Sequence, residues 1–168
     1  FTGASGETRT IAVTLRGDQI VEGNETFSIT LGSVVAPSVP AESIATGAAV
    51  TATITDDDTT TLTIGNVMQT EGSGAGSTLF RFDVTSTNAV AGGFDLPFAV
   101  AGVTATAVAD YTVLTASPVR FAGTTPGETQ TVVVSVIADT IVERDETFSV
   151  SLGAGSNLSG GINSSRIN

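Results

Sequence analysis

The 168-residue chain contains no cysteine, no histidine, no lysine and no tryptophan. Without cysteine there are no disulfides and no thiolate metal sites, so the redox compartment cannot be read from disulfide usage. Without histidine the usual general base and the commonest transition-metal ligand are missing, and Ser/His and Cys/His nucleophile schemes are excluded by composition. All six cationic residues are arginine, set against seventeen carboxylates for a net charge of −11. A surface that negative repels phosphate backbones, so nucleic acid is not expected as a partner, whereas cations are. No run of about eighteen apolar residues occurs, so no membrane insertion by this segment is expected. The first residues, FTGASGETRT, lack the charged and apolar regions of a signal peptide. They align inside a repeat, so targeting signals are expected elsewhere in a longer precursor.

What is abundant favours strands. The apolar residues are mostly Val, Ala and Ile, interleaved with Thr and Ser, while the strong helix formers are scarce. The chain also repeats itself. GDQIVEGNETFSITL, from Gly17 to Leu31, returns as ADTIVERDETFSVSL, from Ala138 to Leu152, 121 residues later. The same offset aligns Gly6 with Gly127 and Glu7 with Glu128.

Within each copy the hydrophobic period is two. Ile11, Val13 and Leu15, like Val132, Val134 and Val136, place apolar side chains on one face. Phe27, Ile29 and Leu31, and Phe148, Val150 and Leu152, do the same after the acidic motif. These segments predict half-buried antiparallel strands, with the carboxylates on the connecting loop at one end of a sheet. Further strands are expected over 49–55, 61–67, 78–86, 95–101 and at Arg120-Phe121, between connections rich in Gly, Pro, Ser and Asn. Short strands so spaced read as an all-β sandwich. The DDDTTT run, Asp56 to Thr61, marks the boundary between repeats.

Three chemistries compete for the acidic motif. Glu143 and Glu146 could serve as a glycosidase pair, but the pair recurs as Glu22 and Glu25 and no aromatic platform accompanies it, so an enzyme is not expected. The glycine-rich Glu71–Ser77 segment has no following lysine and no helical pattern, so it reads as a turn rather than a phosphate cradle. Calcium takes six to eight oxygen ligands from carboxylates and carbonyls and needs neither histidine nor cysteine. Crowded carboxylates repel until a cation reverses the sign, which favours Ca2+ over the alternative that all are solvated loop charges.

The order of the motifs resembles the Calx-beta domain family. They are DYT at Asp110–Thr112, Phe121 followed by PGET at Pro126–Thr129, D-x-I-V-E-x-x-E-T-F from Asp139 to Phe148, and a closing strand into DDD from Val50 to Asp58. The family is known from the regulatory loop of sodium/calcium exchangers and from large bacterial surface proteins. The resemblance implies an immunoglobulin-like antiparallel β-sandwich in tandem. Residues 1–58 would be the C-terminal part of one Calx-beta domain, and residues 59–168 a second lacking its last strand.

By match to calcium-binding members, the implied ligands in the second domain are Glu71, Asp110, Asp139, the Ile141 carbonyl, Glu143 and Glu146. In the first they are Asp18, the Ile20 carbonyl, Glu22, Glu25, Asp56, Asp57 and Asp58. Ala138 and Gly17 stand where strong binders often carry a further aspartate, which implies fewer or weaker ions. The implied role is a calcium-binding structural module of an extracellular or cell-surface adhesin, sheath or filament protein. Its partners would be neighbouring repeats or copies of the same protein. A calcium-sensing regulatory module of a membrane protein, or a carbohydrate- or protein-binding module, is the alternative.

Overall fold

The computed structural model describes residues 1–35, 38, 40 and 43–168. Its ten strands are β1 (Glu25–Ile29), β2 (Val50–Ile54), β3 (Leu62–Ile64), β4 (Gly76–Ser86), β5 (Phe94–Leu96), β6 (Phe98–Gly102), β7 (Tyr111–Val113), β8 (Val119–Phe121), β9 (Thr129–Ala138) and β10 (Phe148–Leu152). Among the described residues the regular structure is all-β apart from a short 3-10 turn at Ser164–Arg166. All strand pairs are antiparallel.

The second repeat forms two layers. One is a four-stranded sheet of order β3-β4-β9-β7. Alternation along β4 and β9 turns Phe80, Phe82 and Val84, with Val132 and Val134, to one face, where they are buried. The opposing layer consists of the β5–β8 and β6–β10 pairs. Pro97, which has no N–H to donate, separates β5 from β6 and breaks the ladder there. Phe94 and Phe121 stack at 4.7 Å between centroids, both fully buried. Phe148 opens β10 and meets three rings: Tyr111 at 5.0 Å, Phe80 at 5.8 Å and Phe82 at 5.8 Å. Phe148 therefore points between the layers, as the alternation predicts.

The two strands flanking the acidic loop of this repeat do not share a sheet. β9 pairs with β4 and β7, while β10 pairs with β6, so the loop crosses from one layer to the other. Sequence spacing alone placed it at the end of a single sheet.

The first repeat is smaller. β1 and β2 form a two-stranded ladder from Glu25↔Ile54 to Ile29↔Val50, with Phe27 and Ile29 half-buried on one face. The strand expected through Ile11, Val13 and Leu15 does not form, and all three side chains are exposed. Its counterpart β9 is held by β4 and β7. Among the described residues no equivalents of β4 and β7 lie beside residues 8–17, and a strand without a ladder partner leaves its backbone to water.

The two repeats abut with Asp56–Asp58 between them. Thr60 is fully buried, and its hydroxyl donates to the Asn88 carbonyl. The last residues run parallel to the start of the second repeat. Thr60 and Ile167 form a parallel bridge, and the Leu62 N–H donates to the Asn168 carbonyl. Val21, from the first acidic loop, is completely buried in the second repeat's core. Its N–H donates to the Ala89 carbonyl at 3.0 Å, and its carbonyl accepts from the Ala91 N–H at 2.9 Å.

The different cores set a test. Phe148→Ala removes a ring packed against three others and should cost about 3 kcal/mol or more. Phe27→Ala, on a ladder that is only marginally stable alone, should cost about 1 kcal/mol. Urea denaturation of the full chain measures both, and equal costs would contradict the packing described.

Candidate metal centre

Two acidic loops of the same local shape carry the implied ligands. Asp18 accepts from the Ile20 N–H at 2.9 Å, and Asp139 accepts from the Ile141 N–H at 2.7 Å. Each is a turn in which the aspartate side chain caps the backbone two residues on. In both copies this fixes where the following Val-Glu pair leaves the loop.

In the second repeat, carboxylate oxygens of Asp110, Glu143 and Glu146 lie within 4.8 Å of one another. Among the described residues they are the only such set. Three separate parts of the chain meet here. Asp110 precedes β7, and its backbone carbonyl accepts from Ile137 on β9 at 2.8 Å. Tyr111 is buried against Phe148, which ties the start of β7 to the strand entered from Glu146. No salt bridge reaches the three carboxylates among the described residues.

The cluster's electrostatics follow. Desolvation, then repulsion from Asp110 and a side-chain hydrogen bond shared with it, then repulsion from Glu143 and Glu71, raises the Glu146 carboxyl above the ordinary glutamate range. Glu71 is thus near enough to be felt, although it is not one of the three closest. Asp139 is tied down differently, since Ser73 and Asp139 form a parallel bridge and the Gly74 N–H donates to the Asp139 carbonyl at 3.1 Å. Ile141 is exposed, and its carbonyl belongs to the same loop.

The first repeat's carboxylates are arranged around a cation of the chain itself. Arg166 forms a salt bridge with Asp56, donates to the Asp56 carbonyl, and donates to the Asp58 carbonyl at 3.0 Å. The same carboxylate oxygen that meets Arg166, Asp56 Oδ2, also accepts from the Glu22 N–H at 3.1 Å. Glu22 is raised by desolvation and by repulsion from Asp18, Glu25, Asp56 and Asp58. Asp58 is raised by desolvation and by Asp56, Asp57 and Asp18, with Arg166 acting in the opposite direction. The implied ligands of the first copy therefore share one electrostatic neighbourhood. Arg166 was not among the residues singled out from sequence, because nothing local to SSRIN shows that it reaches back to Asp56.

One conspicuous motif glutamate has a different task. Glu128 of PGET accepts from the Ala122 and Gly123 N–H groups, both at 2.7 Å, and clamps the turn after β8. A side chain at Gly123 would meet the Val90 carbonyl oxygen at 2.1 Å, and its φ of +70° suits glycine.

The model of the Calx-beta domain family matches residues 3–58 and 66–163. The chain belongs to the Calx-beta domain family, as two adjacent repeats of this calcium-related β-sandwich module. Comparison with curated proteins and with solved structures finds no match.

The raised carboxyls fix the sign of a pH effect. A carboxyl whose folded pKa exceeds its unfolded value stabilises the fold fully below the unfolded pKa, and that contribution is lost as pH rises through the folded pKa. In chelator, acidification from neutral pH through the raised range of Glu146 should therefore lift its destabilising contribution. Glu146→Gln should flatten that part of the melting-temperature profile, and a profile identical to wild type would refute the clustering.

Proposed function

We propose that the chain is a calcium-binding structural module of an extracellular tandem-repeat protein of the adhesin, sheath or filament kind, acting without catalysis. The observation that carries this reading is the Asp110–Glu143–Glu146 cluster, where carboxylates from the start of β7 and from the acidic loop bring oxygens within 4.8 Å of one another and, among the described residues, no arginine pairs with them. Hard oxygen donors with no imidazole or thiolate suit calcium better than a transition metal. In the second repeat these three residues would hold the ion, with Glu71, Asp139 and the Ile141 carbonyl within the same group of loops. The ion supplies positive charge that neutralises the carboxylates' mutual repulsion. Tyr111, Phe148 and the β4–β9 ladder keep the loop ends in place.

The structural role draws on the junction. Val21 is embedded in the neighbouring repeat and Arg166 grips Asp56, so little slack separates the two units. A tight joint beside an ion site is what a stiff array requires. Neighbouring repeats or further copies of the protein are the expected partners, and the cell surface or extracellular space is the expected location.

Calcium bound only by the folded chain should raise its stability by roughly 2.7 kcal/mol at a hundred times the dissociation constant. Magnesium, which prefers a tighter octahedron with retained waters, should raise it much less. Glu143→Gln should lose most of the calcium response, while Asp145→Asn should keep it, because the first copy already carries Asn24 at that place. Melting curves in calcium, magnesium and chelator measure these effects. An unchanged melting temperature in calcium would sink the proposal.

A further inference from the structure

Val21 and Val142 occupy the same place in the repeat, 121 residues apart, yet Val21 is 0% exposed and Val142 is 98% exposed. Their surroundings in the loop are alike, since each follows an isoleucine whose N–H is capped by the aspartate two residues before it. What differs is the partner. Val21 joins the edge of a second sandwich, bridging Val90 in parallel and exchanging hydrogen bonds with Ala89 and Ala91. That edge is prepared from within its own domain. The Val90 N–H donates to the Gly123 carbonyl at 3.1 Å, and Thr60 bonds the adjacent Asn88 carbonyl. Val142 has no such neighbour. Among the described residues no hydrogen bond reaches its N–H or carbonyl, and the preceding Ile141 is also exposed. Two adjacent apolar side chains thus stand in water on this acidic loop, at the place where the first copy buries its valine.

We propose that Val142 is a docking knob for a further Calx-beta domain, entering that domain's counterpart of the Ala89–Ala91 edge as Val21 enters the one seen here. The inference rests on the tandem-array part of the proposed function and is independent of calcium. It also constrains the partner. Gly23 passes so close to Gly160 that a Cβ there would stand 1.6 Å from the Gly160 carbonyl oxygen, whereas the second copy has Arg144 in this place. The domain that receives Val142 must therefore set its turn back at the position of Gly160, or yield there.

The chain's lack of cysteine makes the test direct, because a single introduced thiol is unique. Val142→Cys, Val21→Cys and, as an exposed reference, Met68→Cys are compared for their rate of reaction with a maleimide. In the 168-residue chain Val142→Cys should react like the reference, and Val21→Cys should react about tenfold more slowly or less, since modification requires local opening. The chain is then extended after Asn168 by an in-register copy of residues 48–168, once with the native Arg144 and once with Arg144→Gly in the original chain. Val142→Cys should become protected by about tenfold or more in the Arg144→Gly form, where the copied Gly160 turn is no longer obstructed. As a second measurement, Val142→Asn, which is polar and uncharged, should leave the melting temperature of the 168-residue chain unchanged and lower that of the extended one.

Reaction of Val142→Cys at the reference rate in both extended forms would overturn the proposal. So would reaction of Val21→Cys at the reference rate in the original chain, since the socket would then not hold. Each rate is taken in calcium and in chelator. Protection without any calcium effect on melting would uphold the knob and remove calcium from the proposed function. Calcium stabilisation with an unprotected Val142→Cys would do the reverse.

Discussion

The ladder between β4 and β9 is the constraint on which the second repeat depends. It runs unbroken from Thr85↔Thr129 to Gly76↔Ala138. Because side chains alternate along both strands, this one register puts Phe80, Phe82 and Val84 on the same face as Val132 and Val134. A slip of one residue would turn every one of them to water. The far end of the ladder also places the Glu71–Gly76 segment beside Asp139, where the Gly74 N–H meets the Asp139 carbonyl. The position of the acidic loop is thus a consequence of core packing some distance away. β7 joins the same sheet through Tyr111↔Val136, which brings Asp110 to that end as well.

The carboxylates of the chain divide by what satisfies them. Glu128 is met by backbone N–H groups and holds a turn, and Asp56 is met by Arg166 and holds the junction between repeats. Asp110 accepts one backbone N–H, from Thr106, and otherwise Asp110, Glu143 and Glu146 face one another with no cation of the chain among the described residues. Mutual proximity of like charges is unfavourable unless something else offsets it. The repeats therefore treat the same acidic motif in two ways. In the first, a guanidinium from the neighbouring unit stands among the carboxylates; in the second, among the described residues, no arginine forms a salt bridge with them. Arginine is suited to the former role because its planar fork reaches a side-chain oxygen and main-chain carbonyls at once.

Much of this was legible in the sequence because the relevant signals are local. The period-two alternation of β4, β9 and β10 and the turn residues between them gave the fold class, and the repeated D-x-I-V-E-x-x-E-T-F marked the acidic loops. The assembly of Asp110 with Glu143 and Glu146 followed only from the family resemblance, since no local pattern joins residues more than thirty positions apart. Less visible was anything decided by a missing or distant partner. Ile11, Val13 and Leu15 have the alternation of β9 but not the strands that hold β9, so the same pattern stays extended and exposed. Arg166 and Val21 gain their roles from contacts across the junction. Periodicity describes which face a residue prefers, and it is silent on whether another element arrives to cover that face.

The two copies therefore separate intrinsic from acquired structure. The aspartate-capped turn at Asp18 and Asp139 forms in both, so it is a property of the loop's own residues. The ladder through β10 onto β6 and the ladder of β1 with β2 differ because each strand pairs with whichever edge lies beside it. Among the described residues β10 pairs with β6 alone and β1 with β2 alone. That leaves an open edge on β10, with half-buried Val150 and Leu152 on its inner face, and an open edge is free to pair with a further strand. Such an edge and the exposed Ile141-Val142 pair flank the same acidic loop, one following it and one within it. A repeat docked on Val142 as proposed would also border the loop of Glu143 and Glu146, so the apolar contact and the carboxylate cluster would act on a single joint.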